Sequence, residues 1–213
     1  NLGGLSWFEF NTPEAPEMTN QDSLQVMSAL QGLGCGDLLK RPEQAHFPGS
    51  MNFSYLIHSE GGASFFVKIN CNAGAHEMFE GEKLSLEYLS SASEVRVPRP
   101  LAVGSLSSGG AYLIMEGLRF RPFAMIAPER MSDLGARLAR GHLSLPPTRA
   151  FGFPVPTNLG SLQISNNCAG QSQSWGDFFV EHRLMQRLNA AVEKIGEDID
   201  GRWLAKVAER LET

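Results

Sequence analysis

The chain has few of the features that would indicate a disulfide-stabilised or membrane-spanning protein. Its 213 residues include only three cysteines, Cys35, Cys71 and Cys168, and their number and wide spacing fit neither a disulfide framework nor a paired-cysteine metal site. No apolar run approaches the roughly 20 residues that a membrane-spanning helix needs. We therefore expect reduced thiols and no membrane partner.

Positive charge is also scarce, with 18 Lys and Arg against 23 Asp and Glu, a formal net charge of -5. Affinity for nucleic acid depends on the phosphates that basic side chains neutralise, so we expect no nucleic-acid partner. With 42% apolar and 19% charged residues, the composition is that of an ordinary globular protein. We expect a cytoplasmic location, or a plastid or other organelle if a targeting segment precedes Asn1.

The order of predicted elements favours an α+β fold. Residues 1–20 are polar and lack periodicity, which is typical of a flexible leader. Residues 21–117 combine helical and strand patterns in a sheet-based lobe, and residues 118–213 show helical patterns only. Within the first lobe the predicted segments are a helix over Asp22–Leu33, a hairpin of Phe53–His58 and Ser64–Asn70, a helix over Ala75–Ser91, an extended segment over Arg96–Leu101 and a strand over Ala111–Met115.

The first candidate functional residue is Lys68, a cation within an apolar strand. Strand alternation places Lys68 on the same face as Phe66 and Asn70, and a partly buried lysine needs a partner. Helical spacing puts Glu82 within the apolar face of the following helix. A strand lysine and an inward helix glutamate form the ion pair by which kinases hold the α- and β-phosphates of ATP.

Two connecting segments complete this candidate site. The loop Gly49, Ser50, Met51 and Asn52 joins two extended segments and is placed to fold over phosphates. The polar connector that begins near Glu116 follows the apolar strand, where the lobe boundary is expected.

Several sequence runs resemble the fructosamine kinase family in register over about residues 45 to 190. They are Phe65-Phe66-Val67-Lys68-Ile69-Asn70, Met78-Phe79-Glu80-Gly81-Glu82, Val95-Arg96-Val97-Pro98-Arg99-Pro100, Leu113-Ile114-Met115-Glu116, Leu134-Gly135-Ala136-Arg137-Leu138-Ala139, Phe151-Gly152-Phe153 and the run from Trp175 to Leu184.

The resemblance implies a protein-kinase-like bilobal fold, with a complete small lobe of antiparallel sheet plus one helix and the first helices of the large lobe. It implies ATP-dependent phosphorylation of a ketosamine (ribulosamine or fructosamine) at the sugar 3-hydroxyl, with ATP and Mg²⁺ as cofactors. The substrates would be glycated protein lysines or small ketosamines, and the reaction would lead to deglycation. By position, Lys68 would hold the phosphates, Glu82 would fix Lys68, Gly49–Asn52 would be the phosphate loop, and Met115, Glu116, Gly117 and Leu118 would form the hinge beside adenine.

The sequence departs from the family pattern in two places. Pro48 and Ser50 stand where the family has a glycine-richer loop with a cysteine. No histidine is followed by Gly-Asp, and no Asp-Pro occurs, although the family's catalytic aspartate and metal ligands lie in such segments. We therefore expect a fragment that is inactive alone. The alternatives are a catalytically dead nucleotide-binding or interaction module and another small-molecule kinase of the aminoglycoside or choline type.

Overall fold

The computed structural model describes residues 19–34, 36, 43–45, 52–119, 126–144, 151–160, 162–166 and 174–195. The chain divides into two compact units, Asn1–Ser144 and Leu145–Thr213. Most of the predicted leader, residues 1–20, and the last part of the predicted helical lobe, residues 196–213, lie outside the described residues. The predicted lobe boundary near residue 118 stays a prediction.

The first unit is built on a five-stranded sheet in which every neighbouring pair is antiparallel. Its strands, in the spatial order β1-β2-β3-β5-β4, are β1 (Glu43–Ala45), β2 (Phe53–His58), β3 (Ser64–Asn70), β4 (Pro100–Ser105) and β5 (Ala111–Glu116). The predicted hairpin of β2 and β3 is confirmed with the expected bounds. Strand β3 lies at the centre of this sheet, so the residues it carries are held from both sides.

Among its described residues, the first unit has the helices α1 (Asn20–Gly32), α2 (Ala75–Ala92) and α3 (Pro128–Leu143). Helices α1 and α2 cover opposite faces of the sheet because alternate residues of β3 and β5 point to opposite sides. One core cluster joins α1 to Val67 and Ile114, and the other joins α2 to Leu113 and Met115. The sheet therefore has a helix on each face, and both helices are among the elements predicted for the first lobe.

Helix α3 is tied to the segment after α2 by polar contacts. The Arg140 guanidinium donates to both carboxylate oxygens of Glu94, at 3.0 and 2.7 Å. The Arg140 hydrogen bond and its positive charge lower the pKa of Glu94. Both side chains are exposed, so this pair orients the helix and contributes little to stability.

The second unit contains a small hairpin followed by helical segments. Its elements are β6 (Thr157–Leu159), β7 (Leu162–Ile164), α4 (Trp175–Phe179), a π-helical turn (Val180–Met185) and α5 (Gln186–Ile195). The expectation of helices alone after residue 118 is wrong, because strands of three residues are too short to show alternation in the sequence. The Arg183 guanidinium lies 4.8 Å from the Phe178 ring and donates to the Ser165 carbonyl at 2.7 Å, joining the helical part to the hairpin.

The α+β class predicted from the sequence is confirmed. No helix in the described part of the chain is long and apolar enough to cross a membrane.

Candidate nucleotide-binding site

The centre of the candidate site is an ion pair between Lys68 on β3 and Glu82 on α2. The Lys68 Nζ atom donates to both carboxylate oxygens, at 2.8 Å to Oε1 and 2.6 Å to Oε2. The Lys68 side chain is 19% exposed and that of Glu82 is 32% exposed. The pairing predicted from the sequence is thus present in the structure, and both side chains are partly buried.

The sheet and α2 bring these two residues together through simple periodicities. Lys68 lies opposite Ser54 on one side and Leu113 on the other, so its position along the sheet is fixed by two ladders. Glu82 lies one helical turn after Phe79, which is fully buried against the sheet. The Phe79 ring lies 5.7 Å from Lys68 Nζ, where its negative face favours the cation.

This arrangement leaves the lysine able to contact a further anion. An ammonium group has three donors, and the two bonds to Glu82 use at most two of them. Because Glu82 holds the ammonium in one place, a phosphate group beside Lys68 would meet a charge that is already oriented. The pair can therefore hold a phosphate, although neither residue is suited to accept a proton from a sugar hydroxyl while so engaged.

The predicted hinge, Met115–Leu118, leaves the sheet at the end of β5. Met115 is buried against α2 and lies opposite Phe66, on the face that carries Lys68. The Glu116 N–H donates to the Arg99 carbonyl and the Gly117 N–H to the Ser64 carbonyl, both at 2.8 Å.

Those two bonds determine which hinge groups are available to a ligand. A Cβ on Gly117 would lie 2.8 Å from the Ser64 carbonyl carbon, so the close approach of these chains requires glycine. The Leu118 N–H has no acceptor among the described residues. The Leu118 N–H is thus the hinge donor that remains available to a ligand.

The Glu116 side chain has a structural partner on the other face of the sheet. Its carboxylate pairs with Arg96 and accepts a hydrogen bond from the Arg99 N–H at 3.4 Å. Of the predicted hinge residues, Glu116 can therefore reach a nucleotide only through its backbone.

A pocket of about 1040 Å³ lies on that second face, and Glu116, Gly117 and Leu118 of the predicted hinge line it. Phe65 and Glu116 line it, and strand alternation places both away from Lys68, which is not among the lining residues. The pocket is also lined by the apolar side chain of Leu101 and by the positively charged side chains of Arg96, Arg99 and Arg119.

Of the predicted phosphate loop, only Asn52 lies within the described residues; Gly49, Ser50 and Met51 lie outside them. The Asn52 Oδ1 atom accepts a hydrogen bond from Asn70 Nδ2 at 2.9 Å. Sequence reasoning placed Asn70 on the face of Lys68, but it assigned neither Asn70 nor Phe79 to the site. The periodicity of β3 and of α2 indicates on which face each of these two side chains lies, but their contacts are visible only in the folded chain.

The described residues do not fit a magnesium site. They contain no group of three or more His, Cys, Asp or Glu side chains that could hold a metal ion. Close to Lys68 the carboxylate is that of Glu82, which the lysine already engages. We therefore derive no step through a metal held by these residues.

Comparisons with known proteins agree with this geometry. The chain is 35% identical to the chloroplastic protein-ribulosamine 3-kinase of Arabidopsis thaliana over 149 residues, which cover 70% of this chain and 43% of the relative. It is 30% identical to the ketosamine-3-kinase of Mus musculus, covering 62% of this chain and 48% of the relative. The chain thus spans less than half the length of these curated relatives.

Solved structures show the same fold. A Haemophilus somnus 129PT protein assigned as a fructosamine-3-kinase matches with a TM-score of 0.71 at 23% identity, over 88% of this chain and 60% of that chain. A Thermobifida fusca protein with the same assignment gives a TM-score of 0.66 at 23% identity, over 87% of this chain and 60% of that chain.

The model of the fructosamine kinase family matches residues 38–213, which include β1 to β5, α2 and the Lys68–Glu82 pair. With most of the chain matched by that model, the protein belongs to the fructosamine kinase family.

Proposed function

We propose that this chain binds ATP through Lys68, Glu82 and the hinge, as the nucleotide-binding part of a ketosamine 3-kinase. The observation that carries the proposal is the Lys68–Glu82 ion pair, with Lys68 Nζ 2.6 Å from Glu82 Oε2. Lys68 would neutralise the α- and β-phosphates, and Glu82 would keep the ammonium oriented. The Leu118 N–H would donate to the adenine ring.

The reaction of the whole protein would transfer the γ-phosphoryl group of ATP to the 3-hydroxyl of a ribulosamine or fructosamine on a protein lysine or small amine. The names of the Arabidopsis and mouse relatives support this substrate class. Phosphorylated ketosamines would then lose the sugar, which makes deglycation the biological outcome. The chloroplastic name of the Arabidopsis relative supports the plastid alternative for its location.

The 213 residues themselves are proposed to bind nucleotide without turnover. None of the five histidines is followed by Gly-Asp, so no aspartate of the expected type is present to accept the proton of the sugar hydroxyl. This observation also favours the second candidate function, nucleotide binding or an interaction role without catalysis.

The test measures ATP binding by calorimetry for the wild-type chain and for Lys68→Ala. Removal of the cation should weaken ATP binding by at least about tenfold, as expected for a charge-assisted contact to phosphate. Lys83→Ala is the matched control, because Lys83 lies on the same lobe and pairs with Glu80 at 3.7 Å. Equal ATP affinity in wild type and Lys68→Ala would contradict the proposed site.

Turnover is measured separately, with ATP and a synthetic ribulosamine or fructosamine. We expect no product from this chain. Phosphorylated ketosamine formed by the 213 residues alone would show that a catalytic base is present and would refute the proposal of binding without turnover.

A further inference from the structure

The pocket of about 1040 Å³ on the α1 face of the sheet concentrates positive charge in a protein that is negatively charged as a whole. It is lined by the arginines Arg96, Arg99 and Arg119 and by the carboxylate of Glu116. None of the other described residues around it is charged, so three positive charges against one negative charge leave a net +2. The whole chain has a formal net charge of -5. The pocket therefore attracts anions although the protein as a whole repels them.

Two of the three guanidinium groups are available to a ligand. The Arg96 guanidinium pairs with the Glu116 carboxylate, which also accepts a hydrogen bond from the Arg99 N–H at 3.4 Å. These contacts hold the segment that carries Arg99 against the start of the hinge. Neither Arg99 nor Arg119 forms an ion pair with another described residue. A guanidinium without an acidic partner presents a planar set of N–H donors, which fits two oxygens of one phosphate group.

An apolar wall stands beside these charges. Phe65 is 7% exposed and belongs to the core cluster next to α1, and the partly buried Leu101 packs against that cluster. Leu33, at the C-terminal end of α1, lines the same pocket. A concave, partly apolar surface with a few polar groups is typical of sites for small molecules, which have volumes of roughly 300–1,000 Å³. The pocket therefore suits a ligand that has both an anionic group and an apolar part.

We propose that this pocket binds a small organic phosphate, a phosphate monoester with an apolar or aromatic body. Arg99 and Arg119 would hold the phosphate group, and Leu33 and Leu101 would contact the apolar body. A phosphate monoester carries about -1.5 to -2 charges at pH 7, which matches the net charge of the pocket walls. Inorganic phosphate has the same charge but cannot use the apolar wall, so it should bind more weakly.

The test is an NMR titration of the 213-residue chain with phenyl phosphate, with inorganic phosphate as the reference ligand. We expect saturable binding of phenyl phosphate that is at least about tenfold tighter than that of inorganic phosphate, because the ring buries apolar surface. Arg99→Ala and Arg119→Ala should each weaken phenyl phosphate binding at least about tenfold, since each removes a charge-assisted contact.

Two further variants serve as controls. Arg130→Ala removes an exposed arginine of the same unit that does not line the pocket, so phenyl phosphate affinity should be unchanged. Lys68→Ala should also leave this affinity unchanged, because Lys68 lies on the other face of the sheet, beside Phe79 of α2. Phenyl phosphate binding thus does not depend on the proposed ATP site. Thermal unfolding of each variant without ligand shows whether it keeps its fold, and Arg119→Ala decides alone if Arg99→Ala does not.

Each outcome decides the proposal. Tighter binding of phenyl phosphate that is lost in the two pocket variants and kept in both controls supports it. Equal weakening in Arg130→Ala would mean that phosphate responds only to the net charge of the protein. Loss of binding in Lys68→Ala would place phenyl phosphate at the nucleotide site. Equal affinity for the two ligands, or no binding of either, would mean that the pocket takes no organic phosphate. Each of the last three results overturns the proposal, while ATP binding is decided by its own titration.

Discussion

At the scale of single residues, the candidate site depends on one charge being oriented by another. Glu82→Gln keeps the size and shape of the side chain but removes the charge that holds Lys68. We predict about tenfold weaker ATP binding, because the ammonium loses its charge-assisted bonds. The free energy of unfolding should fall by less than about 1 kcal/mol, since both side chains are partly exposed to water. Calorimetry and urea denaturation measure the two effects.

Glu80→Gln is the control for that substitution. Glu80 is on the same helix and pairs with Lys83 at 3.7 Å. The same chemical change there should leave ATP binding unaltered. If Glu80→Gln and Glu82→Gln weakened ATP binding equally, the effect would come from the net charge of the lobe and not from the pair.

A second residue with a specific role is Asp22, which is 2% exposed and joins the start of α1 to the turn between β4 and β5. Its carboxylate accepts from Thr19 Oγ1 at 2.6 Å and from the Ser107 hydroxyl and Ser108 N–H at 3.3 Å each. Burial raises the pKa of Asp22, but these hydrogen bonds together outweigh burial, so the pKa lies below its ordinary value of 3.8.

The lowered pKa determines the sign of the pH dependence. Asp22 stabilises the folded state above its unfolded pKa, and this contribution is lost as the pH falls through the lower folded pKa. We predict that Asp22→Asn lowers the free energy of unfolding by about 1–2 kcal/mol at pH 7. The difference from wild type should shrink below about pH 4. Urea denaturation across this range provides the measurement.

Asp133→Asn serves as the control for Asp22→Asn. Asp133 is half-exposed and pairs with Arg137 one turn along α3 at 2.9 Å. A surface pair of this kind contributes little, so stability at pH 7 should hardly change. A difference between wild type and Asp22→Asn that stayed constant down to pH 3 would contradict the assigned pKa shift.

At the scale of elements, the turn between β4 and β5 decides how closely β3 and β5 approach. Gly110 has φ +81°, and a Cβ there would lie 2.1 Å from the Asn70 carbonyl oxygen. Gly109 has φ +102° but meets no atom within 4 Å. We predict that Gly110→Ala costs about 3 kcal/mol, because a backbone clash adds to the cost of the left-handed conformation.

Gly109→Ala isolates the conformational cost, for which we expect about 1–2 kcal/mol. Chemical denaturation measures both variants. Gly110→Ala should also weaken ATP binding, since it displaces the end of β3, the strand that carries Lys68. Equal losses of stability in the two glycine variants would show that the turn before β5 can move away from the end of β3 without a cost in free energy.

At the scale of the whole molecule, the first unit contains its own core. Both buried clusters consist of residues between Val26 and Met115, and the Lys68–Glu82 pair lies within the same unit. We predict that residues 1–144, produced alone, unfold cooperatively and keep the ATP affinity of the 213-residue chain to within about threefold. Urea denaturation followed by circular dichroism and calorimetry with ATP measure this.

The control is the same 1–144 protein with Lys68→Ala, which should fold but bind ATP at least about tenfold more weakly. A gradual transition without cooperativity would show that residues 145–213 are needed to complete the core.

Much of the fold could be predicted because its elements have strong periods. Strands β2 and β3 agree with the sequence-based bounds, and α2 extends one residue beyond them. The hairpin of β6 and β7 was missed because each strand has three residues, fewer than alternation needs to become visible. The π-helical turn at Val180–Met185 was missed because its residues show the same apolar spacing as an α-helix.

The sequence by itself determined which residues can form the nucleotide site, because alternation on β3 and the helical period of α2 place Lys68 and Glu82 on facing sides. Only the tertiary structure decided how the site is supported: the Phe79 ring beside Lys68, the Asn70–Asn52 bond, and the pairing of Glu116 with Arg96. Periodicity gives the direction of a side chain within its own element. Partners on other elements depend on how strands pair and helices pack, which involves residues far apart in the chain.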